Sequence, residues 1–197
     1  MGHDGARLAP LVARVPFRRN RSAGYDVVLE AGEAAVLTRL CEELTTLLSG
    51  DDEPSDPSDP SDPSDPSDPS DPSDPVLERL FPRAYLDPTE EEAEADWQRL
   101  VHDDLVDGRR RALATVEGTL AAAEVRRGRF ELTLSEEQAQ AWLAVLNDAR
   151  LALGTRLEVT EDLDLSGLDP DDPDTAPYAV YWWLGVLEES LIDVLSG

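Results

Sequence analysis

The feature that most constrains this chain is a repeat in which the triplet Ser-Asp-Pro recurs seven times, from Ser55 to Pro75. Proline at every third position excludes an α-helix or a central β-strand, because each proline removes a backbone donor and clashes with the preceding turn. The repeat also lacks the apolar side chains whose burial could offset the entropy of ordering. We therefore expect residues 51–75 to form a disordered loop that interrupts a single domain over residues 25–197.

The charge of the chain narrows the classes of partner. Asp and Glu number 43 against 17 basic residues, all of them arginine, and the net charge is −26. Contacts to phosphates need positive charge, so we expect direct DNA binding to be weak or absent and do not expect an anionic membrane to be a partner. No run approaches the ~18 apolar residues of a membrane helix, and no signal peptide is recognisable. The expected location is the cytoplasm.

Periodicity outside the repeat predicts mainly helices. Apolar residues recur at spacings of three and four in segments that we place at about 33–48, 76–81, 89–105, 113–123, 136–153 and 177–195. Gly108 either breaks or merely weakens the helical pattern around it. Tyr25–Leu29 and Phe130–Leu134 look like strands, and each leads directly into a helix, so we expect the two to pair. The predicted fold is mainly α, a compact bundle of five or six helices with a small two-stranded β element.

Motifs for catalysis or metal binding are weak. Residues Asp162–Gly167 copy the first half of a calcium-binding loop, but position twelve is Pro173 instead of the bidentate Glu, so we interpret the segment as an acidic turn. No nucleophile motif and no phosphate loop is present, and one cysteine with two histidines cannot build a zinc site. We expect no enzymatic activity, no cofactor and no metal. Cys41 is the candidate redox residue, although its place on an apolar helical stripe favours a structural thiol.

Basic residues are clustered, chiefly in an Arg-rich N-terminal arm over residues 1–24, which contains a single acid, Asp4. Two further runs lie at 109–111 and 126–129. The candidate basic contacts are Arg18, Arg19 and Arg21. They could touch an acidic partner or nucleic acid locally, and the alternative is solvated charge that balances nearby acids.

One segment has a more specific pattern. Residues 141–157, Ala-Trp-Leu-Ala-Val-Leu-Asn-Asp-Ala-Arg-Leu-Ala-Leu-Gly-Thr-Arg-Leu, resemble the hallmark of the actinobacterial AosR family, first known as a domain of unknown function. Residues 80–85 and 178–184 agree with the same family. The resemblance implies a regulator of transcription under oxidative stress that contacts the transcription machinery, with RNA polymerase or a sigma factor as the partner. Members are typically encoded near a Clp protease adaptor, which leaves an adaptor or scaffold for Clp proteolysis as the alternative.

The same segment supplies the candidate site residues, which are Asn147, Asp148, Arg150, Gly154, Thr155 and Arg156. Leu143, Asn147, Arg150 and Gly154 follow one another at intervals of four, three and four, so they lie along one edge of a helix. Gly154 would allow another backbone to approach closely, with Asn147 and Arg150 held at the boundary of the core by hydrogen bonds. The motif therefore either fixes the packing of helices or forms a contact surface for a partner.

Overall fold

The computed structural model describes residues 16–22, 24–49, 74–84, 87–160 and 173–197. Nearly all of the Ser-Asp-Pro repeat, the acidic turn at 162–167 and residues 1–15 of the Arg-rich arm lie outside these ranges. The predictions made for those segments concern residues that the structure does not describe.

Helices dominate the described residues, as predicted. They are α1 (Ala31–Ser49), α2 (Pro75–Leu80), α3 (Glu91–Ala121), α4 (Glu136–Arg156) and α5 (Ala176–Ser196), with two 3-10 turns at Pro88–Glu90 and Pro173–Thr175. The capping box that begins α4 pairs the Ser135 hydroxyl with the Gln138 backbone and the Gln138 side chain with the Ser135 backbone. Helix α3 runs unbroken through Gly108, so this glycine does not divide it.

The expectation of a two-stranded element is wrong, because the structure has a four-stranded antiparallel sheet in the order β1-β2-β4-β3. Its strands are β1 (Phe17–Arg19), β2 (Tyr25–Glu30), β3 (Glu124–Arg126) and β4 (Arg129–Leu134). The predicted pair forms the centre, with Val27 opposite Leu132. The edge strands have three residues each, too few for an alternating pattern to stand out, and Val125 in β3 is 62% exposed.

The hairpin between β3 and β4 turns at Arg127 and Gly128, which both have positive φ, at 52° and 79°. Two successive left-handed residues are the signature of a type I′ turn, which matches the twist of antiparallel strands. Part of the basic run 126–129 therefore builds the turn of this hairpin.

The core lies between one face of the sheet and the helices. Phe17, Val27, Leu29 and Leu134 are fully buried, and Phe17 meets the ring of Trp142 edge-on, with 6.0 Å between ring centroids. Strand β1 falls inside the predicted arm, so that segment contributes a core residue. By contrast, Leu100 lies within the apolar pattern of the segment predicted at 89–105 but is 74% exposed.

Helix α4 occupies the centre of the bundle, since it packs against α1, α2, α3 and α5. The indole of Trp142 on α4 donates to the Thr119 hydroxyl at 2.9 Å, which satisfies the one polar atom of this buried side chain. No helix in the described ranges is long and apolar enough to cross a membrane. The central position of α4 means that its polar residues face neighbouring helices on several sides.

Candidate functional site

The motif on α4 divides its polar residues between two sides of the helix. Asp148 lies on the side of α2 and α3, where its Oδ2 is 3.2 Å from Arg109 Nε. Arg109 also donates from Nη2 to the Leu80 carbonyl at 2.8 Å, and its guanidinium carbon lies 4.5 Å from the centre of the Phe81 ring. We call Arg109, Asp148, Leu80 and Phe81 the Arg109 cluster. It joins the end of α2 to α3 and α4.

The Arg109 cluster is enclosed, because the side chains of Arg109 and Asp148 are only 23% and 12% exposed. Burial raises the pKa of the Asp148 carboxyl, and the charge of Arg109 opposes that shift. The neighbouring Arg110 donates to the Leu48 carbonyl at 2.6 Å, near the end of α1. Much of the basic run 109–111 therefore makes contacts inside the fold.

On the α5 side, Arg150 forms a second pair. Its Nη1 donates to Glu188 Oε2 at 3.0 Å, and its guanidinium carbon lies 5.2 Å from the centre of the Tyr181 ring. The guanidinium packs beside Gly185, where a Cβ atom would lie 3.5 Å from Arg150 Nε, an ordinary van der Waals contact. Burial raises the pKa of the Glu188 carboxyl, against the effect of Arg150. We call Arg150, Glu188, Tyr181 and Gly185 the Arg150 cluster.

Gly154 does allow a close approach, but by a ring and not by a backbone. A Cβ atom on Gly154 would be 3.0 Å from Cε2 of Tyr181, a contact so tight that the ring would have to shift by a few tenths of an ångström. The predicted backbone contact is therefore replaced by an aromatic contact with α5. Gly154 thus fixes where the Tyr181 ring can lie, and this ring in turn faces Arg150.

An open cleft of about 250 Å³ lies beside the Arg150 cluster. Its lining combines polar groups with a few apolar ones, and consists of Arg79, Asn147, Arg150, Leu151, Gly154, Thr155, Val159 and Tyr181. Four of the six predicted motif residues, Asn147, Arg150, Gly154 and Thr155, therefore come together here. The other two do not, since Asp148 belongs to the Arg109 cluster and Arg156 pairs with Glu43 on α1 at 3.3 Å.

The sequence interpretation missed three residues that matter here. Arg79 enters the cleft from the short helix α2, and nothing in its local sequence distinguishes it. Glu188 and Tyr181 could have been found from the sequence, because they lie on the apolar helix α5. Glu188 also follows the buried Leu184 by one helical turn. A charged residue in a core register indicates a buried partner of opposite charge.

Cys41 is buried, with 1% of its surface exposed, on the core-facing side of α1. Desolvation raises the pKa of the thiol to about 12, and the charges of Glu117 and Glu42 add to the shift. At neutral pH such a thiol carries almost no thiolate, the form that reacts with oxidants.

The predicted basic contacts lie apart from the cleft residues. Arg18 and Arg19 are exposed on the edge strand β1, and Arg21 is exposed in the turn that follows. In the described part of the chain, no three His, Cys, Asp or Glu side chains converge as a metal site would require.

Comparison with known proteins extends the resemblance to nearly the whole chain. A family model described as a domain of unknown function, DUF2017, matches residues 14–195. Curated proteins named oxidative stress regulator AosR, from Mycobacterium tuberculosis and Mycobacterium bovis, are each 35% identical over 178 residues, which is 84% of this chain and 79% of theirs. A relative from Mycobacterium leprae is 34% identical over 181 residues, 85% of this chain and 81% of its own. No solved structure gives a significant match.

Proposed function

This chain belongs to the DUF2017 family, and on that premise we propose that it is a non-enzymatic regulator of the response to oxidative stress, acting through protein contacts with the transcription machinery. The observation that carries the proposal is the likeness, over 84% of the chain, to relatives that are named as oxidative stress regulators. RNA polymerase or a sigma factor is the partner that the family resemblance implies.

The net charge favours contact with a protein over contact with DNA. A chain of net charge −26 repels the phosphate backbone, and exposed arginines such as Arg18, Arg19 and Arg21 offer few phosphate contacts. We expect the isolated protein to show no submicromolar, sequence-selective binding to duplex DNA at physiological salt. An electrophoretic or fluorescence-anisotropy titration checks this. Tight, selective binding would mean that the protein regulates by direct recognition of DNA and not by protein contact.

The buried thiol bears on how oxidants act. Cys41 is the only cysteine, so no disulfide can form within one chain, and its high pKa slows oxidation. We therefore expect peroxide to leave Cys41 unmodified under mild conditions, and Cys41→Ala to reduce stability more than regulatory function. Mass spectrometry after mild oxidation decides this. A rapidly formed Cys41–Cys41 dimer, or a mixed disulfide with a partner, would show instead that the thiol senses oxidants between chains.

The partner is tested by tagging the full chain and capturing its complexes from the source organism, with and without peroxide, followed by reconstitution from purified components. We expect RNA polymerase or a sigma factor to be recovered and to bind again when purified. Recovery and reconstitution of Clp components in their place would support the alternative, an adaptor or scaffold for Clp proteolysis. Neither result depends on the cleft beside Arg150.

A further inference from the structure

We propose that the cleft beside Arg150 binds an oxyanion, the carboxylate or phosphate group of a small ligand. The cleft lies between α4, α5 and the short helix α2 and has a volume of about 250 Å³. This is below the ~300–1,000 Å³ of pockets for drug-sized ligands, so it suits a small anion or a single anionic group. The inference is independent of the regulatory function proposed above.

The charge of the lining is opposite to that of the chain. Acids outnumber arginines 43 to 17 in the sequence, yet among the described residues that line the cleft none is acidic and two are arginines. Glu188 pairs with Arg150 at 3.0 Å from the α5 side and neutralises part of its charge. The charge of Arg79 is not offset in this way, so the described lining keeps a net positive charge.

Contacts with α5 hold the Arg150 side chain in place, and some of its N–H donors remain unused. Glu188 takes one N–H from Nη1, and the Tyr181 ring faces the guanidinium. A guanidinium has five N–H donors in a fixed fork that matches the two oxygens of a carboxylate or phosphate. Its Nε is buried beside Gly185, so the donors left for a ligand are the N–H groups of Nη1 and Nη2 that Glu188 does not take. The contacts with Glu188 and with the Tyr181 ring thus order the side chain and leave donors on its terminal nitrogens without a described partner.

Arg79 supplies a second, more adaptable cation. Its side chain is exposed on α2, lines the cleft, and makes no ion pair within the residues that the structure describes. The exposed amide of Asn147 also lines the cleft from α4, and it has two N–H groups, so one stays available beside its interaction with Asp148. An anion in the cleft can therefore be contacted from two helices at once, which a solvated surface arginine does not offer.

The Thr155 hydroxyl refines the kind of group expected. It donates its proton to the Leu151 carbonyl at 2.9 Å, so toward the cleft it can only accept. An acceptor next to two cations suits an oxyanion that also carries a hydroxyl, such as hydrogen phosphate or a hydroxy acid. A ligand with oxyanion oxygens alone would leave this acceptor unmatched.

The test titrates the full-length protein with inorganic phosphate, succinate and malate in separate arms, at constant ionic strength balanced with sodium chloride. Binding is followed by NMR amide shifts and by calorimetry. We expect saturation, with the largest shifts in residues 147–159 and in α5. Saturation by phosphate alone identifies a phosphate group as the ligand, and saturation by the organic acids identifies a carboxylate. Either result supports an oxyanion site, and stronger binding of malate than of succinate supports the role of Thr155.

Arg79→Ala is the decisive variant, because the exposed side chain has no described partner and its loss should leave the fold intact. We expect it to weaken binding about tenfold, the equivalent of one charge-assisted hydrogen bond. Arg83→Ala removes the same charge from an exposed position outside the cleft and should leave binding unchanged. Arg150→Lys keeps the charge but loses the fork, and should also weaken binding.

Two results would overturn the proposal. One is a response that stays linear to concentrations on the order of 100 mM, far weaker than a 1 mM site would give. The other is saturable binding that Arg79→Ala and Arg150→Lys leave as tight as in the wild type. In either case the cleft would have only a packing role.

Discussion

Helix α4 carries two arginine–carboxylate pairs, centred on Asp148 and Arg150, and they do different things. In the Arg109 cluster the two atoms are 3.2 Å apart, and the arginine also binds a backbone carbonyl and covers an aromatic ring. In the Arg150 cluster the pair is slightly shorter, at 3.0 Å, but the arginine is 43% exposed beside an open cleft. The length of the ion pair therefore does not distinguish them.

What distinguishes them is where the remaining donors of each arginine point. Arg109 is surrounded by α2, α3 and α4, so removing it would uncouple three elements. Arg150 is anchored on one side only, against α5, and its other side is open to a ligand. The comparison indicates that two residues of the α4 motif have different roles. Asp148 helps to fix the fold, whereas Arg150, two residues later, stays available for binding.

The largest effect is expected from Arg109→Ala, which leaves Asp148 buried and without its partner. We expect the free energy of unfolding to fall by about 3 kcal/mol, as for other broken buried pairs, measured by urea denaturation. Replacing both partners with apolar residues, Arg109→Met with Asp148→Leu, should recover most of the loss.

Arg111→Ala is the matched control for that measurement. Arg111 is exposed, and its one described bond, from Nε to the Asp107 carbonyl, lies within its own helix. Its loss should change the free energy of unfolding by less than about 0.5 kcal/mol. Equal losses for Arg109→Ala and Arg111→Ala would contradict the structural role of the Arg109 cluster.

Arg150→Ala should cost less, about 1.5 kcal/mol, although it also leaves a buried carboxylate behind. Solvent reaches the cleft and can hydrate Glu188 once the guanidinium is gone, so the penalty is screened. Urea denaturation beside Arg109→Ala checks the order of the two. A loss from Arg150→Ala that matches or exceeds that from Arg109→Ala would mean that both clusters serve stability alike.

Gly154→Ala should destabilise the protein by about 1 kcal/mol. The overlap with the Tyr181 ring costs more than the ~1 kcal/mol that alanine gains over glycine in a helix. Gly118→Ala is the control, because nothing lies within 4 Å of its Cβ position in α3, and it should be stabilising. Thermal unfolding of both variants measures the contrast, and stabilisation by Gly154→Ala would show that the ring moves away freely.

The smallest effect concerns the pH dependence of stability that Glu188 of the Arg150 cluster contributes. Glu188 has its pKa raised by folding, so the folded state holds the proton more tightly than the unfolded state. Stability then falls as pH rises above about 4.5, the ordinary value, and levels off above the folded pKa. In Glu188→Gln this part of the slope should vanish.

Glu189→Gln is the control for the pH measurement, since Glu189 is exposed and its loss changes the net charge equally. Urea denaturation between pH 4.5 and 7 should give a flatter slope for Glu188→Gln than for Glu189→Gln. Equal slopes would indicate that the long-range repulsion of a very acidic chain accounts for the whole pH dependence.

Local pattern was enough to predict the helices and the central strand pair, because each depends on spacing within a few residues. Local pattern was not enough to predict β1 and β3. Each of them has only three residues, which carry little periodicity, and each forms because a longer strand lies beside it. In the site, the grouping of Asn147, Arg150 and Gly154 on one edge followed from helical geometry. Arg79 could not be found, since only tertiary packing brings α2 against α4.

The order of the strands has a consequence for synthesis of the chain. Strand β2 pairs with β4, so Glu30 must find Arg129 and Tyr25 must find Leu134, across about a hundred residues that include the Ser-Asp-Pro repeat. At ~5–20 residues per second, the ribosome needs roughly 5–20 s to deliver β4 after β2. During that interval β2 has only the short strand β1 beside it, and its other edge is open to association with other nascent chains. The acidic repeat is made within the same interval, and we expect its like charges to oppose such association.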